Sequence, residues 1–160
     1  MQQLQHLLGF DFEEGWQDCY TLARLYYKEM MGLELKDYAR PSQWYMLPGF
    51  NFFDRLFPNE GFVQATTNAN DVMIGDALLM AMGRTETSNH IAIYVGQGMI
   101  LHHLTGQKSR LDPYNLKWRE RVTRVLRHPS YELSFENLTM DTLTQLPFAV
   151  RQRLSKRTPS

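Results

Sequence analysis

The sequence predicts an α+β fold in which an N-terminal helix packs on an antiparallel sheet of about five strands. Two observations carry that expectation. Cys19, Leu22, Ala23, Tyr26 and Met30 recur at helical spacing and lay one apolar stripe along a helix. From residue 62 onward the texture changes to short strand-like runs separated by turn signals. Nothing repeats at a fixed period, which excludes a solenoid.

Taken in order, residues 10–17 (Phe-Asp-Phe-Glu-Glu-Gly-Trp-Gln) alternate turn formers with aromatics before Asp18, whose carboxylate can cap the helix start. Gly32 is its natural stop. Residues 33–70 are the least regular stretch, broken at Pro41, Pro48-Gly49 and Pro58 to Gly61, with a short helix expected over 50–56. Its five aromatics, Trp44, Tyr45, Phe50, Phe52 and Phe53, either cap the core or wall a groove. Strands are expected at 62–65, 77–82, 90–95, 99–104 and 122–127, joined as an antiparallel meander with turns at Gly75-Asp76 and Gly96-Gln97-Gly98. This places the folded unit at 1–130. Residues 131–160 read as a separate basic tail, with a last helix near 138–154 interrupted by Pro147, suited to a solvated end or to docking on an acidic partner.

Bulk properties narrow the function. With 160 residues, 43% hydrophobic and 21% charged, the composition is that of an ordinary globular chain. No apolar run approaches the ~20 residues needed to cross a bilayer, and no secretory signal is legible. Net charge is zero, but residues 1–80 carry 5 basic and 11 acidic groups while 81–160 carry 12 and 6. A uniformly basic surface is absent, so no nucleic-acid partner is expected. One cysteine excludes an intramolecular disulfide and leaves thiol chemistry, metal binding or burial as its uses.

Cys19 follows the capping aspartate at the helix start, where unpaired amides and the positive end of the macrodipole favour a thiolate. On spacing alone it is equally a small apolar residue of the core stripe. His90 supplies a base: it opens a run in which Ile91, Ile93 and Val95 alternate with His90, Ala92 and Tyr94, and it shares its face with an alanine small enough to admit a packed helix. If the next strand returns with an odd-length loop near Gly96, His102 falls on the face of His90 and can hold its second ring nitrogen; an even-length loop puts His103 there instead. Nucleophile, base and orienter make a thiol version of the hydrolytic triad. The reaction this suits is acyl transfer: thiolate attack on an amide, proton donation to the leaving amine, and an oxyanion held by amides at the helix start. A zinc site built from Cys19, His90, His102 and His103 is the rival in number, although adjacent strand histidines point to opposite faces.

These residues, in this order, resemble the NlpC-type cysteine peptidases, a papain-like family of bacterial cell-wall endopeptidases, and within it the branch found as bacteriophage tail proteins. Asp18-Cys19 matches the family's helix-start pair, and Gly75-Asp76 followed by Ala77 to Met80 its strand opening. His90-Ile91-Ala92-Ile93-Tyr94-Val95-Gly96 matches its histidine strand, with His102 as the third polar residue. Residues 99–104, 109–114 and 125–128 resemble the phage tail branch in particular. The resemblance implies a papain-like fold, hydrolysis of peptidoglycan stem peptides by Cys19, His90 and His102, no cofactor or metal, other tail-tip proteins as partners, and a place in the virion tail. A tail component that keeps the fold without turnover is the alternative. The family often places a tyrosine about a dozen residues before the cysteine; this chain has Leu7, Leu8 and Phe10 there.

Overall fold

Asp18 starts the first helix as its side chain predicts. In the computed structural model, which describes residues 2–129, α1 spans Cys19–Met31, and the Asp18 carboxylate accepts the Thr21 amide at 3.0 Å. Gly32 ends it in the left-handed region at φ 66°, its amide donating to the Lys28 carbonyl and that of Leu33 to Tyr27. The tail expected at 131–160, with its last helix, lies outside the described residues.

Leu22, Ala23, Tyr26 and Met30 are buried as the stripe requires, but so are Tyr20, Tyr27 and Met31, so α1 is covered on more than one side. The aromatic insertion does the covering. Tyr20 meets Phe52, Phe53 and Phe57 with ring centroids 6.1–6.3 Å apart, and Trp44 packs on Phe53 at 5.0 Å. Most of these rings therefore cap the core. They are carried by a 3₁₀ turn at Trp44–Met46 and by α2, Phe52–Asn59, which starts and ends later than the expected 50–56.

Six strands form one antiparallel sheet: β1 Val63–Thr66, β2 Ala77–Met80, β3 His90–Gly96, β4 Met99–His102, β5 Arg110–Pro113 and β6 Val122–Arg127. Their order is β1-β6-β2-β3-β4-β5. The meander expectation holds from β2 to β5 and fails at β6, which returns to pair between β1 and β2. A buried ion pair fixes that return: Arg127 on β6 donates through Nε and an η-nitrogen to the two oxygens of Asp76, each at 2.7 Å, at the start of β2. The strand at Arg110–Pro113 was not expected, because it is short, largely polar and ends in proline. It is tolerated as an edge strand, where a missing amide costs no ladder bond. A short helix, α3 (Leu116–Arg119), follows it.

The sheet has two apolar faces. Ala77, Leu79, Ile91, Ile93, Val95 and Leu101 pack with α1 and the aromatic insertion, while Leu78, Met80, Ala92 and Ile100 pack with Tyr114 and Trp118. This corrects the expectation that α1 lies on the His90–Ala92 face. The helix instead covers the isoleucine side, where three branched side chains bury far more apolar area than one alanine, at roughly 25 cal/mol per Å². Among the described residues no helix is long and apolar enough to cross a membrane.

Candidate active site

The β3–β4 hairpin decides which histidine joins His90. Its turn is the two-residue pair Gln97-Gly98, both at positive φ (53° and 68°), which pairs Gly96 with Met99. Continued without interruption, that register would have paired even positions with odd ones. A bulge between Tyr94 and Gly96 absorbs one residue, and from there Tyr94 pairs with Ile100 and Ala92 with His102. Even positions therefore share a face, as an odd-length loop would have arranged, but by a short turn plus a bulge. His102 lies diagonal to His90, and His90 Nε2 is 3.1 Å from His102 Nδ1.

The far side of His102 is held too. Its Nε2 lies 2.9 Å from an oxygen of Asp112 on β5, and its ring sits edge-to-face on Trp118 with centroids 4.7 Å apart. Arg110, directly opposite His102, donates from Nε to both oxygens of Asp112 at 3.0 Å. Both imidazoles are buried. Burial first, then the neighbouring histidines, holds His90 well below the ordinary 6.5; burial also lowers His102, against the opposing pull of Asp112. For Asp112, burial pushes upward, yet its hydrogen bonds from Arg110 and His102 prevail and its carboxyl stays below the usual 3.8.

Cys19 approaches from the other face. The residue is half-buried at the edge of the helix-side core, and its thiol lies against the amides of Ile91 and Tyr20. Ile91 follows His90 and lies just beyond the last β3–β4 pair, Ala92 with His102. The thiol thus lies at the amide of the residue after His90, while the described hydrogen bond of the His90 ring is to His102 and no described contact joins it to the sulfur. Burial and the adjacent Asp18 carboxylate push the thiol up to about 12, outweighing the Ile91 amide, Arg40 and the Tyr20 amide. Burial and Asp18 thus oppose the thiolate that the helix start was expected to favour.

The helix start is clamped by a residue the sequence reading passed over. Arg40 Nε donates to Asp18 at 2.7 Å, and its terminal nitrogens donate to the carbonyls of Tyr38 and Gly15 and to the Thr21 hydroxyl. Its guanidinium lies over the Tyr20 ring at 5.0 Å. Asp18 and Arg40 side chains are 8% and 2% exposed, so this is a buried ion pair. Nothing local announces Arg40, 22 residues from its partner. Asp112, also missed, had a weak signal in the polar-apolar-polar alternation of Arg110-Leu111-Asp112.

His103 forms no hydrogen bond with this group, although its charge acts on both His90 and His102. Buried on the helix side of the sheet, its ring meets Phe12 edge-on at 5.2 Å. Neither ring nitrogen makes a well-formed hydrogen bond, although backbone groups of Gln107 and Phe10 lie near enough to oppose the lowering that burial imposes on its pKa. Among the described residues, no cluster of three or more His, Cys, Asp or Glu side chains is arranged to hold a metal ion.

His90 borders a surface cavity of about 400 Å³ shared with Tyr45, Met82, Asn89, Leu104 and Gln107. Tyr45 is the one member of the aromatic insertion that walls this groove. Hollows elsewhere, one between Arg24 and Glu34 and an apolar one beside Phe50 and Phe52, are lined by none of Cys19, His90, His102 and Asp112.

A cysteine at a helix start, set against a sheet strand that opens with a histidine in a histidine pair, defines a papain-like α+β protein. The comparison with known families agrees: the NlpC/P60 family profile matches residues 10–127, and the chain belongs to that family. It is 36% identical over 129 residues to the tail tip assembly protein K of Escherichia phage lambda, covering 81% of this chain and 62% of that protein. To the tail tip assembly protein K of Escherichia phage N15 it is 31% identical over 124 residues, covering 76% of this chain and 49% of the relative. The chain therefore spans between about half and three-fifths of the length of these relatives.

Proposed function

We propose that residues 1–130 form a cysteine peptidase unit that hydrolyses peptide bonds of peptidoglycan stems, with Cys19 as nucleophile, His90 as base and His102 as its orienter, and that the protein belongs to a phage tail tip. The observation that carries the reading is the His90–His102 hydrogen bond at 3.1 Å beside a thiol seated on the next residue's amide. Burial favours the uncharged form of both groups, so the proton is taken to pass from Sγ to His90 as sulfur bonds to the substrate carbonyl carbon. The imidazolium then protonates the amine as the C–N bond breaks, leaving a thioester; water, deprotonated by His90, releases the acid and restores the thiol.

Asp18 takes the Thr21 amide through its carboxylate and the Leu22 amide through its carbonyl. The helix-start donors that remain for an oxyanion are the amides of Cys19 and Tyr20, and the Tyr20 amide already lies at the thiol. The cavity that borders His90 is the candidate substrate groove, and Cys19 is not among the residues lining it.

A place in the tail rests on the two tail tip relatives, which also suggest other tail proteins as partners. A second reading, a structural tail component without turnover, is favoured by one observation: a thiol pushed up to about 12. Incubating the protein with peptidoglycan fragments and reading the products by mass spectrometry separates the two. Stem-peptide cleavage lost in Cys19→Ala establishes the peptidase; intact fragments at every pH tried leave the structural role.

A further inference from the structure

We infer that Asp112 is a positioning residue that sets, through His102, which nitrogen of His90 carries the proton. The inference deepens the peptidase reading and rests on it for its catalytic meaning, though not for its chemistry. An ionised carboxylate only accepts hydrogen bonds. Asp112 is held in that state by Arg110, whose Nε donates to both oxygens at 3.0 Å. The His102 nitrogen 2.9 Å away must then carry the proton, so neutral His102 is the Nε2–H tautomer.

The rest follows in sequence. With Nε2 protonated, His102 Nδ1 presents a lone pair, and the contact at 3.1 Å requires His90 Nε2 to donate. His90 is thereby also fixed as Nε2–H, and its bare Nδ1 is the nitrogen able to take a proton from sulfur. When it does, the new positive charge is shared along a chain that ends in the Asp112 carboxylate. The chain balances only in this direction: a donor in place of Asp112 reverses each proton in turn and puts a hydrogen on His90 Nδ1, where the base is needed.

Asp112→Leu removes the acceptor outright; an amide would not, because the Asp112 oxygen that faces His102 also lies 3.0 Å from a terminal nitrogen of Arg110 and an amide would turn its own oxygen there. In wild-type protein labelled with ¹⁵N-histidine at neutral pH, NMR is expected to show both His90 and His102 as Nε2–H. Asp112→Leu is expected to release both rings from a single tautomer, so that Nδ1–H becomes populated, and to slow both Cys19 alkylation and stem-peptide cleavage by about 10–100-fold, the range seen when an outer-shell partner of a metal-ligating histidine is lost. A His90 found as Nδ1–H in the wild type overturns the inference without any variant, as does an Asp112→Leu protein whose tautomers are unchanged. The NMR readout needs no substrate. Wild-type tautomers as stated with no cleavage would remove the peptidase reading and leave the Asp112 assignment standing.

Discussion

His102 and His103 are neighbours in the chain, both buried, yet they sit in opposite chemical worlds. His102 points to the Trp118 face and has a partner on each nitrogen, His90 on one side and Asp112 on the other. His103 points to the helix face, against Phe12, with no well-formed hydrogen bond. The difference teaches that the two faces are specialised: one assembles the core around α1, the other carries a polar relay, and the proposed nucleophile lies on the core side, at the amide of the residue after His90.

The comparison breaks most severely at its centre. Cys19→Ala and His90→Ala are each expected to abolish stem-peptide cleavage, a loss of about 10⁴-fold or more, with far-UV circular dichroism unchanged. Full activity in either variant removes the peptidase reading. Next in size is the clamp at the helix start. Arg40→Ala leaves the Asp18 carboxylate buried beside Cys19 without its cation and is expected to cost about 3–5 kcal/mol, read as a lowered denaturation midpoint; a loss under about 1 kcal/mol would mean that the pair is not buried in solution.

The two histidines then sharpen the contrast directly. His102→Ala is expected to leave a measurable remainder, about one to ten per cent of the wild-type rate, because it orients more than it transfers protons. His103→Leu is expected to keep activity and raise stability by about 1 kcal/mol, since it replaces a poorly satisfied buried ring by an apolar side chain of similar size. Equal losses from the two variants would collapse the distinction between the faces.

Acid probes all three at once. Burial holds His90, His102 and His103 below 6.5, so below that pH the unfolded chain binds protons that the folded one refuses. Stability is full above pH 6.5 and is lost as pH falls toward the folded-state values, by up to about 1.4 kcal/mol per pH unit for each group. Urea midpoints at pH 7.5 and 5.5 measure it, and His103→Leu should flatten the slope.

Much of this arrangement was legible from residues alone. Asp18, the Cys19 stripe and Gly32 specify α1 because capping and helical periodicity are local properties. Strands at 77–82, 90–95 and 122–127 announce themselves by apolar runs between turns, but the choice between His102 and His103 stayed open, because it rests on a bulge that reverses the parity of the two-residue turn. What escaped was set by distant partners. Arg40 acts across 22 residues, β6 is placed by an ion pair with Asp76 across 51, and β5 is too short and polar to be read without its neighbour. The side of the sheet that α1 covers was misjudged because Ala92 reads as room, whereas burial follows the larger Ile91 and Ile93. The thiol's high pKa escaped because the favourable helix end is local and the crowding that opposes it is not.

The extra residue at Val95 carries a consequence for any reshaping of this hairpin. Deleting it would join Tyr94 to Gly96 and keep Ala92 opposite His102, whereas straightening the bulge with Val95 retained would set Tyr94 opposite Leu101 and trade His102 for His103 beside His90. A one-residue slip of this hairpin would therefore silence the site without touching any histidine, while loss of the bulged residue itself would not.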